Sequence, residues 1–168
     1  MKQTMSTKRV ALYGIMIALA MILSYVEAQI PAFFAVPGMK LGLTNIVVVV
    51  ALYVMDSKSA MFINIVRIIL VSLLFGTAMS FAFSIAGGML STIVMILLKK
   101  TDRFGTIGVS AAGGITHNIA QILVAMFLLG TKAIAWYLLI LWISGVASGV
   151  LIGIIAGIIA VRIPSVKE

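Results

Sequence analysis

An arginine at position 67 and a His117-Asn118-Gln121 cluster stand inside stretches otherwise apolar enough to sit in lipid. A guanidinium is a permanent planar cation whose donor fork fits a carboxylate, phosphate or phenolate. Left unpaired near the middle of a membrane span it costs at least ~3 kcal/mol on insertion scales, so it should face a bundle interior and meet an anion. Asn64 stands three residues earlier, on the same helical face. Glu27 is the acid placed to reach Arg67, because Asp56, Asp102 and Glu168 fall on the opposite side of the expected topology. Three readings stay open for Arg67: a structural pair with Glu27, a side chain snorkelling to the interface, or the partner of an anionic small molecule.

His117 and Gln121 are four residues apart and share a helical face, with Gly113, Gly114 and Thr116 leading into them. Three polar side chains in an apolar span suit the hydrogen-bonding wall of a pocket, and Asn45 can add to it or tie two helices together. One histidine, no cysteine and four scattered acids do not make a metal site, and no cofactor is expected. Other chemistries lack their residues as well. No paired acids exist to hold magnesium and a diphosphate, no phosphate-binding loop is present, and no Ser-His-acid set is suggested. A binding or transport subunit is expected rather than an enzyme.

The elements that position these groups follow from composition. The chain has 168 residues, 63% hydrophobic and 10% charged, with mean hydropathy +1.28. A spanning helix takes about 20 apolar residues, so the expected fold is all-α and integral to the membrane. The reading is a single domain over 1–168 with six transmembrane helices near 10–26, 41–55, 60–75, 79–98, 107–129 and 133–161. The second stretch carries the run Val47 to Val50, which in isolation reads as a strand; a lone strand cannot satisfy its backbone in lipid, so a helix is expected. Lys2, Lys8 and Arg9 before the first apolar run raise a secretory signal, but further apolar segments follow Glu27, and a retained first helix is expected.

The net charge of +8 does not call for nucleic acid, because the basic residues sit at the ends of apolar runs rather than along one stripe. Six crossings put Lys2, Lys8, Arg9, Lys58, Lys99, Lys100, Arg103, Arg162 and Lys167 on the side of the termini, against Lys40 and Lys132 on the other. The positive-inside rule then makes both termini cytoplasmic in a multi-pass protein of the plasma membrane, surrounded by its lipids. The connection from Glu27 to Lys40 falls outside, where a lid over an external site would lie. Tyr25, Phe33, Phe34, Trp136 and Tyr137 fall near that outer boundary.

Small residues supply packing surfaces. Gly145, Gly149, Gly153 and Gly157 recur every fourth residue and let a neighbouring helix approach closely. Gly14 and Ala18, continued by Ala11, form a shorter face on the first span.

Over nearly its whole length the chain resembles the substrate-binding S components of energy-coupling factor (ECF) transporters. Within them it is similar to the Gx transporter family of bacteria, often labelled heptaprenyl diphosphate synthase component I. The resemblance rests on Leu12-Tyr13-Gly14-Ile15-Met16-Ile17-Ala18-Leu19-Ala20 and Pro37-Gly38-Met39-Lys40-Leu41-Gly42-Leu43-Thr44-Asn45. It rests further on Arg67 with Leu73-Leu74-Phe75-Gly76, on Ser84-Ile85-Ala86-Gly87-Gly88 and on Gly114-Ile115-Thr116-His117-Asn118-Ile119-Ala120-Gln121. It implies a six-helix protein that captures a vitamin-like or quinone- or isoprenoid-related molecule near the outer face, under the loop after the first helix. Asn45, Asn64, Arg67, His117, Asn118, Gln121 and Glu27 would be the binding groups. Ala11, Gly14 and Ala18 would dock onto a coupling module, a transmembrane protein driven by two ATPases, although the family's pair of alanines four apart stands here as Gly14 and Ala18. The alternative is a non-catalytic membrane component associated with heptaprenyl diphosphate synthesis.

Overall fold

The Val47–Val50 run lies inside a helix, and that helix is the most enclosed part of the molecule. The computed structural model describes residues 7–29, 42–130 and 133–165, and none of them is in a strand. Six α-helices occur among them: α1 (Thr7–Gln29), α2 (Leu43–Val54), α3 (Ser57–Phe75), α4 (Ala78–Lys100), α5 (Thr106–Leu129) and α6 (Leu138–Arg162). A short 3₁₀ turn, Ala133–Tyr137, leads into α6.

Five segments are long and apolar enough to cross a membrane: α1, α3, α4, α5, and α6 with the last turn before it. No more than 28% of each spanning window is buried within the protein, so most of its apolar surface faces outward. That distribution is what lipid as solvent permits. By length and composition the chain is a multi-pass helical bundle. The helix α2 differs from the rest. Its 12 residues rise only about 18 Å, short of a ~30 Å hydrocarbon core.

Eight residues of α2 are buried, on every side of the helix, and it packs against α1, α3 and α6. A helix apolar all round belongs in an interior. Val48, Ala51 and Leu52 are fully enclosed, meeting a core supplied by Ala20 of α1, Ile63 of α3, Met95 of α4, Val109 of α5 and Ala156 of α6.

The glycine face of α6 closes against α5. A Cβ at Gly149 would stand 2.7 Å from both Cα of Ala111 and the carbonyl oxygen of Ser110, and one at Gly153 would stand 2.7 Å from Cα of Ile107. Gly114 on α5 and Gly145 on α6 likewise abut each other's backbone. Gly157 does not take part at that range, since a Cβ there would meet Thr106 at 3.8 Å, an ordinary contact.

At the end of the bundle holding the α2–α3 turn, polar groups replace apolar packing. Asp56 caps α3, accepting from the Ser59 amide at 2.7 Å. Arg9 of α1 forms an ion pair with the same carboxylate, donates to the Ser59 hydroxyl at 3.1 Å, and lies over the Tyr13 ring. Burial opposes ionisation of Asp56, but the Ser59 amide, its hydroxyl and the Arg9 guanidinium outweigh it and hold the carboxyl below its ordinary range. Close by, Lys99 of α4 donates to the Leu52 carbonyl near the C-terminus of α2 and lies over the Tyr53 ring. A cation there complements the negative end of the helix dipole.

Candidate functional site

Arg67 is held in place by a single buried side chain. Asn64, one turn earlier on α3, donates through Nδ2 to the Gly88 carbonyl at 2.9 Å and to the Thr92 hydroxyl at 2.8 Å, both on α4. Its Oδ1 accepts from Nε of Arg67 at 2.9 Å. The approach depends on Gly88, where a Cβ would fall 2.6 Å from Cδ1 of Ile68 and 3.2 Å from Asn64 Nδ2. The outer end of the guanidinium reaches Asn45 Oδ1 on α2 at 3.5 Å, the outer limit of a hydrogen bond.

Arg67 lines a cavity of about 170 Å³ bounded by α1, α2, α3, α4 and α5. Glu27, near the C-terminus of α1, lines the same cavity, but no ion pair joins the two among the described residues. Glu27 instead accepts a hydrogen bond from the backbone N–H of Gly42. Gly42 precedes α2 with φ +76°, a left-handed backbone suited to glycine, and this conformation presents the amide to the carboxylate. The hydroxyls of Ser24, Thr44, Ser72, Ser80 and Ser84 add polar lining, with Phe75 as an aromatic wall. Ser24 and Thr44 share a 2.8 Å hydrogen bond that joins α1 to α2.

His117 borders the cavity from α5, its ring seated on the bare backbone of Gly87, where a Cβ would lie 2.9 to 3.1 Å from ring atoms. A smaller void of about 20 Å³ continues inward past His117, Asn45 and Gly42. It is lined by Ser91, Ser110, Asn118 and Ser148, and it has room for about one water.

The residues singled out from sequence therefore divide. Glu27, Asn45, Arg67 and His117 share the larger cavity. Asn64 stands behind Arg67 and positions it. Asn118 donates to the Leu141 carbonyl, tying α5 to α6, and borders only the smaller void. Gln121 is buried on α5 and lines neither space. Ala11, Gly14 and Ala18 are exposed on α1, and a Cβ at Gly14 would meet nothing within 4 Å. The Pro37-Gly38 turn, Phe33, Phe34 and Lys40 lie outside the described residues. No group of three or more potential metal ligands occurs among those described.

Sequence reasoning missed the hydroxyls and Gly42. The signal was present, since Ser80 and Ser84 are one turn apart on the face of α4 that continues to Gly87 and Gly88. Serine is common in membrane helices as packing glue, and spacing alone does not separate that use from lining a cavity.

No curated protein and no solved structure matches this chain. A protein-family model does match, described as heptaprenyl diphosphate synthase component I, over residues 16–159. The matched range runs from the middle of α1 to near the end of α6 and includes every group that lines the cavity, so the chain belongs to the heptaprenyl diphosphate synthase component I family.

Proposed function

We propose that this protein is the substrate-binding S component of an ECF-type importer in the bacterial plasma membrane. It captures a small molecule bearing an anionic group and hands it to a coupling module that carries the ATPases. The supporting observation is Arg67, held by Asn64 at 2.9 Å, on the wall of a 170 Å³ cavity with no carboxylate paired to it among the described residues. A half-buried cation with open donors in a polar cavity suits a ligand anion.

Six crossings with cytoplasmic termini complete the reading. Among the described residues, Arg9, Lys58, Lys99, Lys100, Arg103 and Arg162 cluster at helix ends on the side of the Asp56 turn, away from the cavity mouth beside Glu27 and Gly76. By the positive-inside rule this distribution supports a cavity that faces outward. The packing of the short, apolar α2 against α1, α3 and α6 supports a sixth segment sheltered from lipid. The exposed Ala11, Gly14 and Ala18 face supports docking onto the coupling module.

The family description favours a second reading, a non-catalytic membrane component acting with a heptaprenyl diphosphate synthase. Mass spectrometry of the small molecules released on denaturing the gently purified protein separates the two. A stoichiometric polar metabolite that disappears in Arg67→Ala supports the receptor. Lipid and detergent alone, together with co-purification of a prenyl synthase, would replace it by the auxiliary role.

A further inference from the structure

Resting on the receptor reading, we infer that the ligand is a small zwitterion of amino-acid size, its carboxylate at Arg67 and its protonated amine at Glu27. The cavity holds one guanidinium and one carboxylate that are not joined to each other. Apart, the two charges attract each other only across the cavity and lack the close partner that would offset their desolvation. A ligand carrying both complementary charges supplies that partner at each end.

Both groups keep capacity for such a ligand. Glu27 uses Oε1 for the Gly42 amide, and a carboxylate has further acceptor positions on its two oxygens. Arg67 engages Nε with Asn64 and reaches Asn45 from one terminal nitrogen, leaving the rest of its donor fork unused among the described residues. Of the hydroxyl-bearing residues that line the cavity, Ser24 and Thr44 bond each other and Ser80 bonds the Thr77 backbone, while Ser72 and Ser84 add further polar lining.

Charge and size exclude the other natural candidate. A prenyl diphosphate carries several negative charges, whereas this cavity offers one fixed cation and a carboxylate that would repel them. A cavity of about 170 Å³ suits a small molecule better than a heptaprenyl chain.

The test equilibrates the full-length protein in mild detergent with free α-amino acids, their N-acetyl derivatives, their amides, and farnesyl diphosphate. Retained compounds are identified by mass spectrometry, and their affinities are then measured singly. At least one free amino acid should be retained near one per protein, with its N-acetyl and amide forms at least ~10-fold weaker, as loss of one charged hydrogen bond implies. Glu27→Gln keeps an acceptor for Gly42, so it should fold; it should weaken the zwitterion about 10-fold while leaving the N-acetyl form unchanged or tighter. Equal binding of the N-acetyl form, indifferent to Glu27→Gln, would overturn the zwitterion and leave the receptor reading standing. Preferential retention of farnesyl diphosphate, or retention of none of these compounds, would overturn the zwitterion; the receptor reading falls only if the denatured protein also releases no stoichiometric metabolite.

Discussion

Asn64 fixes Arg67 from behind: its oxygen accepts from Arg67 Nε at 2.9 Å while its amide nitrogen spans to Gly88 and Thr92 on the next helix. The Asn64 side chain is 1% exposed, so the arginine's inner nitrogen is committed to structure, while one terminal nitrogen reaches Asn45 at 3.5 Å and the residue lines the cavity. One residue thus couples the α3–α4 contact to the geometry of the candidate site.

Replacing Asn64 by Leu should destabilise the protein by about 1–3 kcal/mol, because the Thr92 hydroxyl, the Gly88 carbonyl and the Arg67 guanidinium all lose a buried partner. Thermal unfolding in detergent measures the loss. Ligand affinity should fall as well, through a guanidinium no longer held in one orientation.

The α5–α6 seam should respond unequally to added methyl groups. Gly149→Ala drives a Cβ against the Ala111 and Ser110 backbone, which cannot yield as a side-chain tip does, and should cost about 1–3 kcal/mol. Gly157→Ala makes only ordinary contacts with Thr106 and should change stability by less than about 0.5 kcal/mol. Equal melting shifts for the two variants would contradict the seam described above.

Asp56 gives the stability an acid limb. Its folded value is lowered, so its contribution is fully present above the ordinary carboxylate value near 3.8 and disappears as pH falls through the lowered folded value. Asp56→Asn, which loses the ion pair with Arg9, should melt lower than the parent at neutral pH, by an amount corresponding to about 1–3 kcal/mol. As pH falls through the lowered folded value the two should converge, since the parent carboxyl is then neutral as well. A melting difference that persists unchanged into acid would show that this carboxylate does not carry the effect.

Gly14→Trp separates folding from docking. Nothing stands within 4 Å of a Cβ at Gly14, so thermal stability and ligand binding should hold. Under the receptor reading, association with the coupling module should fall at least ~10-fold, because close helix approach needs a bare surface. Quantitative co-purification of the variant and parent with the module reads the difference.

Much of the architecture was legible in the chain because a lipid-facing helix leaves a long record. Apolar runs separated by Asp56, by Gly76-Thr77 and by Lys99 to Arg103 mark where backbone passes from lipid to water. Cations at helix ends and the fourfold glycine repeat were equally plain. Arg67 announced itself by charge alone, since a lone arginine in an apolar span must be accommodated.

The partners of these groups were decided only by tertiary structure. A pair with Glu27 was one of three readings open for the arginine; the two line one cavity without a direct ion pair, and the Glu27 carboxylate also accepts from the Gly42 amide. Arg9 read as one more charge at a helix end, yet it folds inward onto Asp56, forty-seven residues away. Asn118 and Gln121 share the sequence signature of His117, but the first is turned toward α6 and the second, one turn further along α5, lies outside both voids. Sequence determines that a polar group in an apolar helix must find a partner, because desolvation makes its absence costly. Which partner it finds depends on how each helix turns and slides against its neighbours, and in this bundle that is set by contacts between residues far apart in the chain.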